Sequence, residues 1–357
     1  MNRLRWTWIW LPPFAGALSL LLGGTVTIPP LLLGIVLIVT VLAAVHHAEL
    51  IAHKVGEPFG TFLLALAVTV IEVGLILTLM LQGKAGAETL ARDTVFSAVM
   101  IILNGLLGAF ILLGALRHRE QSFQQVGVSA SLATLCTLTV LTLVLPNYAA
   151  VERGPYYAPS QLAFVAIVSL LLYLTFVTVQ TVRHRDYFLP PEEAAADLEA
   201  HAPPPSNGET LLSGAILIAC LVEVVLLAKA LAPAIEDGVA SAGLPHAVVG
   251  VVIAALVLLP ESVAAVRAAM ANRLQTSLNL ALGSALATIG LTIPAVAVLS
   301  LFQGLPLALG LDSRGIVLLS LTLLVTTQSL ATARTTVLQG VVHLVIFGVF
   351  VFTTLVP

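Results

Sequence analysis

Two glutamates lie near the middle of apolar segments that are long enough to cross a lipid bilayer. Glu72 lies in GTFLLALAVTVIEVGLILTLML and Glu261 lies in HAVVGVVIAALVLLPESVAAVRAAM, at matching places in the two halves of the chain. A charged carboxylate in hydrocarbon costs roughly 2.5 to 3.5 kcal/mol, so membrane proteins keep one mainly where it binds a proton or a cation. The two glutamates therefore predict that the chain binds and moves cations.

The same two carboxylates are suited to proton exchange. When a bound ion leaves, two like charges remain in a medium of low dielectric constant, so the proton affinity of at least one carboxylate rises. Protons and the ion then compete for one site, and competition combined with alternating access gives coupled exchange. Thr69 lies one helical turn before Glu72 and adds a hydroxyl to the oxygen ligands that Ca²⁺ prefers. Pro260 removes a helical hydrogen bond directly before Glu261, which predicts a kink there.

The composition indicates that these segments lie in a membrane. Hydrophobic residues make up 59% of the 357 residues and charged residues 9%, whereas soluble proteins carry about 25% charged residues. The apolar runs are long and uniform, so we predict helices, which satisfy their backbone hydrogen bonds internally. A net charge of -3 offers no basic surface for nucleic acid. Cys136 and Cys220 lie at unrelated depths in apolar runs and indicate neither a disulfide nor a metal pair.

Eleven apolar runs, each close to the length of about 20 residues that a membrane helix needs, are predicted to span the bilayer. They lie near residues 6–23, 29–52, 60–82, 94–116, 126–145, 161–182, 210–231, 246–270, 277–301, 315–332 and 335–356. A cytoplasmic N-terminus puts ten of the 15 Lys and Arg residues on the inner side, which favours this orientation. We expect a multi-pass protein of the inner (plasma) membrane whose first helix is not cleaved.

A long polar stretch divides the chain into two blocks of helices. We predict an N-terminal helix in residues 1–24, five helices in 25–182, a cytoplasmic linker in 183–209 and five helices in 210–357. Because five is odd, the two blocks enter the membrane in opposite orientations, as in transporters with inverted repeats. We interpret the linker as a solvated tether, with a regulatory cation-binding segment as the alternative. Its acidic cluster consists of Glu192, Glu193, Asp197 and Glu199.

Two longer segments resemble the repeat motifs of the calcium/cation exchanger (CaCA) superfamily. They are HHAELIAHKVGEPFGTFLLALAVTVIEVGLILTLML and LLPESVAAVRAAMANRLQTSLNLALGSALATIGLTIPAV. The chain is most similar to the ChaA-type calcium (sodium, potassium)/proton antiporters, over nearly all residues after the first helix. The resemblance implies that Glu72 and Glu261 bind the transported Ca²⁺ and exchange protons.

The chain departs from this family pattern beside both glutamates. The usual Gly-Asn pair, four and three residues before each glutamate, is replaced by Val68-Thr69 and Val257-Leu258. The Gly-Ser pair of the following helix is present as Gly283-Ser284, with Val99-Met100 in the other half. When the glutamates are aligned, Asn104 falls opposite Thr288. The expected partners of the two carboxylates in cation and proton binding are therefore Thr69, Asn104, Gly283, Ser284 and Thr288.

A second polar cluster lies at the cytoplasmic end of the second predicted helix. Its histidines and carboxylates suggest either an ion access path at the membrane surface or a zinc site of an intramembrane hydrolase. We favour the access path, or merely a polar helix end at the membrane interface, because the HExxH order is missing and no matching third histidine ligand lies at a similar depth in another helix. Glu223 is the counterpart of Glu49 in the second block. The predicted access path consists of His46, His47, Glu49, Glu57 and Glu223.

These features predict a secondary active transporter, and not an enzyme. It would export Ca²⁺, with Na⁺ and K⁺ as further candidate ions, in exchange for protons by alternating access. A cation channel and, less favoured, an intramembrane metal-dependent hydrolase are the alternatives. We expect inorganic cations, protons and membrane lipid as partners, no cofactor and no nucleic acid. A homo-oligomer is compatible with the sequence.

Overall fold

The predicted apolar runs form helices in the computed structural model of the protein. The structure describes residues 3–22, 28–56, 59–81, 86–149, 154–189 and 205–356. The helices, numbered in chain order, are α1 (Arg3–Leu22), α2 (Pro30–Val55), α3 (Phe59–Met80), α4 (Ala87–His118), α5 (Gln125–Tyr148), α6 (Pro159–Arg183), α7 (Asn207–Ser241), α8 (Ala247–Met270), α9 (Leu274–Gln303), α10 (Ser313–Ser329) and α11 (Val337–Leu355). The strands β1 (Gln121–Ser122) and β2 (Arg334–Thr335) are short.

The helices are those of a multi-pass membrane protein. Among the described residues, seven are long and apolar enough to span a bilayer, or eight if the bent helix α8 is one span. The bend in α8 measures 54° and separates Ala247–Leu259 from Glu261–Met270. It confirms the kink predicted at Pro260, where the missing amide removes a helical hydrogen bond. The exact number of eleven spans stays a prediction.

The chain divides into two compact units, which interleave along the sequence. Unit 1 comprises Met1–Lys84 and Ala202–His246, and unit 2 comprises Ala85–His201 and Ala247–Pro357. In unit 1, α2 packs against α1, α3 and α7. The buried face of α2 includes Leu33, Leu37, Thr40, Ala44 and His47, at the three- and four-residue spacing of one helix face.

Helix pairing within unit 2 is reciprocal between the two predicted repeats. The third helix of the first repeat, α4, packs against the fifth helix of the second, α11. The third helix of the second repeat, α9, packs against the fifth helix of the first, α6. Such an exchange is expected when two copies of one helix order are related by a two-fold axis, and it supports the inverted-repeat fold.

The loops of unit 2 show the same reciprocity. Strand β1, which follows α4, pairs antiparallel with β2, which precedes α11. Tyr156, which precedes α6, forms an antiparallel bridge to Ala308, which follows α9. The Tyr156 hydroxyl also donates a 3.0 Å hydrogen bond to Glu88, and this bond raises the pKa of the Tyr156 side chain above its usual value. Both ends of the helix bundle in unit 2 are thus tied by backbone hydrogen bonds.

The predicted linker is described only at its two ends. At its start, residues Arg185–Phe188 form a short 3₁₀-helix. At its end, Ser206 caps α7, since its hydroxyl accepts from the Glu209 amide and its own amide donates to the Glu209 carboxylate. The acidic residues Glu192, Glu193, Asp197 and Glu199 lie outside the described residues. The domain boundaries predicted from the sequence stay predictions.

Candidate functional site

Glu72 lies on a buried face of α3 in unit 1. Its side chain is 3% exposed, and Thr69, one turn earlier, is 4% exposed. Their neighbours Val68, Ile71 and Leu75 on α3 are buried as well, so this carboxylate and this hydroxyl lie in a buried segment of the helix. A carboxylate that is buried in a membrane helix is found together with a proton, a cation or a polar partner.

Close helix packing holds the Glu72 segment against α7. A Cβ atom added at Gly74 would lie 2.7 Å from Cγ2 of Val225, a separation that real side chains do not adopt. A side chain at position 74, two residues after Glu72, would therefore require the Val225 side chain or one of the two helices to shift. The packing fixes the segment that carries the carboxylate.

The access residues predicted on α2 are distributed over different environments of unit 1. His47 is buried, His46 is half-buried and Glu49 is exposed. The two imidazole rings lie edge to face with centroids 5.6 Å apart. Glu57 lies outside the described residues. The helix thus carries imidazole and carboxylate groups from its buried face to its surface, and their role in ion access stays a prediction.

Glu223 lies on α7 and faces α1 in unit 1. A side chain at Gly16 of α1 would collide with Oε2 of Glu223 and would approach the Thr40 hydroxyl to 3.3 Å. Thr40 itself donates to the carbonyl oxygen of Val36. Oε2 of Glu223 is buried and has no hydrogen-bond partner among the described residues. Helix α1 therefore packs over the Glu223 carboxylate at Gly16.

Glu261 begins the second segment of the bent helix α8 in unit 2. Its side chain is 8% exposed. The next residue, Ser262, donates a 2.7 Å hydrogen bond to the carbonyl oxygen of Leu258 across the bend. Since Pro260 has no amide hydrogen, this hydroxyl is a local donor at the break. Helix α8 packs against α4 and α9, so the helices that carry Glu261, Asn104 and Thr288 are in mutual contact.

Asn104 lies in a π-helical turn of α4. The turn covers Ile101–Leu106 and interrupts the α-helical hydrogen-bond pattern between two regular segments. Such turns are frequent at functional sites because they redirect one side chain. Asn104 is 0% exposed, and its amide binds side chains of α10 and α11. The residue is a buried polar position, as the sequence indicated, but the turn was not foreseen.

The remaining predicted site residues lie on α9. Thr288 is buried, whereas Gly283 and Ser284 are half-buried. A Cβ atom added at Gly283 would meet no described atom within 4 Å, so this glycine is not required by packing within the described part of the chain. Farther along α9, Gly290 allows close contact with Tyr173 of α6. Among the described residues, no group of three or more His, Cys, Asp or Glu side chains could hold a metal ion.

The sequence profile of the family described as sodium/calcium exchanger protein matches this chain twice, on residues 28–182 and 212–356. The chain belongs to the sodium/calcium exchanger protein family. The two matched segments lie within the two predicted repeats. This membership confirms the resemblance inferred from the motifs around Glu72 and Glu261 and makes the protein one of a family of transporters, not of enzymes.

Curated members of this family resemble the chain over most of its length. It is 52% identical over 317 residues to "Putative ionic transporter y4hA" of Sinorhizobium fredii, covering 89% of this chain and 86% of that protein. It is 32% identical over 358 residues to "Sodium-potassium/proton antiporter ChaA" of Escherichia coli, covering 99% and 97%. The exchanger family therefore includes close relatives of the whole chain.

Solved structures of family members have the same fold. The structure of native YfkE superposes with a TM-score of 0.74 at 17% identity, covering 98% of this chain and all of that chain. The H⁺/Ca²⁺ exchanger CAX superposes with a TM-score of 0.70 at 16% identity, covering 96% and 86%. These similarities show the exchanger fold, with its all-helical membrane architecture.

Proposed function

We propose that the protein is a secondary active antiporter that exports cations from the cytoplasm in exchange for protons. The observation that carries this proposal is the burial of Glu72 and Glu261 within apolar helices of an exchanger fold. Relatives add support, because one is named a sodium-potassium/proton antiporter and another, from Aphanothece halophytica and 24% identical over 328 residues, is named a Ca²⁺/H⁺ antiporter. Ca²⁺ is the proposed substrate, and Na⁺ and K⁺ are the monovalent candidates.

In this proposal, Glu72 and Glu261 bind the cation and the proton alternately. A bound proton neutralises a buried carboxylate as a cation does, so the loss of one favours the binding of the other. The hydroxyls and amide of Thr69, Ser284, Thr288 and Asn104 contribute oxygen ligands, and Gly283 leaves backbone accessible beside them. No cofactor takes part, since both transported species are ions.

The proposed direction of transport follows from charge distribution and energetics. The positive-inside bias favours a cytoplasmic N-terminus in the inner membrane. Ions would then approach from the cytoplasm past His46, His47, Glu49, Glu57 and Glu223. The inward proton gradient would drive export, because each proton that moves inward makes a carboxylate available for the cation on the cytoplasmic side.

The experiment measures proton release from proteoliposomes that contain the full chain and an acidic lumen. CaCl₂, NaCl and KCl are added separately, and a pH-sensitive dye reports the lumenal pH. We expect at least one salt to release protons with the wild type, and we expect none to do so with Glu72→Gln or Glu261→Gln, because the amide keeps the shape and loses the charge. Asp237→Asn, which changes an exposed acid on α7, is the matched control and should remain active.

The result also separates exchange from channel conduction. In an exchanger, a cation gradient drives protons in the opposite direction even when the membrane potential is zero. In a channel, the flow of cations follows the membrane voltage. Proton release by both Gln variants at the wild-type rate would contradict the proposed role of the glutamates. Voltage-driven cation flow without proton release would contradict antiport.

A further inference from the structure

Glycine contacts bring α11 against the π-helical turn of α4. A Cβ atom at Gly105 would lie 3.2 Å from the Phe347 ring, and one at Gly108 would lie 3.0 Å from both Cβ of His343 and the backbone nitrogen of Leu344. Because these positions have no side chain, the backbones approach closely in a part of the molecule where polar side chains have no access to water. His343 is thereby held beside Asn104, although 239 residues separate them in sequence.

The side chains at this contact form a directed hydrogen-bond chain. Nδ1 of His343 lies 3.3 Å from Oδ1 of Asn104, and the tautomer of His343 that carries its proton on Nδ1 donates this hydrogen bond. Nδ2 of Asn104 donates to Oγ1 of Thr322 at 2.9 Å. The Thr322 hydroxyl then donates to Sδ of Met100 at 3.4 Å. Asn104, Thr322 and His343 are each 0% exposed.

The chain fixes both ends of one amide group. Thr322 and His343 lie at opposite ends of the Asn104 amide, so its nitrogen and its oxygen are each held by a hydrogen bond. Rotation of the amide would require the Thr322 hydroxyl to turn from Met100 toward the oxygen and His343 to change its tautomer. One lone pair of Oδ1 accepts from His343, which leaves the second lone pair as a potential cation ligand. A ligand oxygen whose orientation is already fixed loses less entropy when an ion binds.

We infer that His343 and Thr322 are positioning residues, which orient Asn104 for cation binding during exchange. The inference rests on the proposed function, because it assigns Asn104 to the ion site of an antiporter. Neither residue touches the ion in this scheme. They act through Asn104, and they make the last two helices of the chain contributors to the affinity of the site for its cation.

The test compares variants in the proteoliposome assay with whichever salt supports proton release by the wild type. Thr322→Val keeps the shape of the side chain and removes the hydroxyl, and Thr322→Ser keeps the hydroxyl. His343→Leu removes the donor, and His343→Asn retains an N–H group at the position of Nδ1. Thr326→Val is the matched control, because Thr326 is equally buried on α10 and, in the part of the chain that the structure describes, its hydroxyl donates to the carbonyl oxygen of Thr322 one turn earlier and to no other side chain.

We expect Thr322→Val and His343→Leu to raise the KM for the cation about three- to tenfold, which corresponds to the loss of one buried hydrogen bond, with little change in kcat. Thr322→Ser and His343→Asn should restore most of the wild-type KM, and Thr326→Val should not change it. In the Asn104→Ala background, Thr322→Val should raise KM no further, since the group that it positions has been removed.

The possible outcomes separate the inference from the proposed function. If the wild type releases no protons with any of the three salts, the proposed function is wrong and the inference falls with it. If the wild type is active and both Thr322→Val and His343→Leu keep the KM of Thr326→Val, only the inference is overturned. Independent effects of Thr322→Val and Asn104→Ala would overturn it as well. If His343→Leu does not fold, the comparison of the near-isosteric Thr322→Val with Thr326→Val decides the question.

Discussion

Gly340→Ala tests whether the close approach of α11 to α4 stabilises the transporter. A Cβ atom at Gly340 would lie 2.7 Å from the backbone nitrogen and 2.9 Å from Cα of Leu112. Backbone atoms cannot rotate aside as a side chain does, so α11 must shift. Gly348, two turns later on the same helix, is the matched control, because a Cβ atom there would meet no described atom within 4 Å.

The expected magnitude follows from two effects. Replacing a helical glycine by alanine favours the helix by about 0.8 to 1 kcal/mol, and this gain is common to both variants. Overpacking a tight contact costs about 1 to 3 kcal/mol, and only Gly340→Ala incurs that cost. The two variants should therefore differ by about 1 to 3 kcal/mol in the free energy of unfolding, with Gly340→Ala the less stable.

Heating of the purified proteins in detergent, followed by size-exclusion chromatography, measures the difference as a melting temperature. With an unfolding entropy of about 2.1 cal/mol/K per residue, a chain of 357 residues shifts by about 1.3 °C per kcal/mol, so Gly340→Ala should melt roughly 1 to 4 °C below Gly348→Ala. Equal melting temperatures would show that the contact between Gly340 and Leu112 is not tight enough to limit side-chain size. The reasoning about glycine packing between α4 and α11 would then be wrong.

Three further predictions concern transport. Because protons and cations compete for the buried carboxylates, the KM for the cation should rise as pH falls. The exchange rate should pass through a maximum as pH is varied, since turnover needs both species. A KM that does not vary with pH in the proteoliposome assay would exclude this competition. Simultaneous replacement of His46, Glu49 and Glu57 by Ala should lower cation affinity or rate without changing the ratio of protons to cations, and loss of coupling would assign the exchange chemistry to that cluster. Replacement of the four linker acids by Ala should leave the Ca²⁺ dependence of exchange unchanged, whereas a large shift would identify the linker as an ion sensor.

Local sequence signals were sufficient to predict the helices, the bend at Pro260 and the burial of the two glutamates. Each of these depends on residues that are close in sequence. A run of apolar residues near the bilayer thickness predicts a helix, and a proline inside such a run predicts a kink. The interior positions of Glu72 and Glu261 in their runs predicted burial, which the structure confirms at 3% and 8% exposure.

Features that depend on contacts between residues far apart in sequence could not be predicted from local signals. The bond between His343 and Asn104 depends on the contact between α4 and α11, which brings together residues that are far apart in sequence. The π-helical turn around Asn104 likewise has no proline or other local signal. The interleaving of the two compact units arises because α7 packs with α1, α2 and α3, which lie far from it in sequence. Glycines at positions 105, 108 and 340 were the available indication that two helices approach closely.

The reciprocal packing in unit 2 places different chemistry at two related contacts. Where α4 meets α11, Gly108 lies against His343, and the neighbouring Asn104 is bonded to His343 and Thr322. Where α9 meets α6, Gly290 lies against Tyr173. Both contacts use glycine to bring a third helix close to a fifth helix. Among the described residues, an amide and an imidazole are hydrogen-bonded to each other at the first contact. Two copies of one helix arrangement can therefore share their glycine packing while the polar side chains at the two contacts differ.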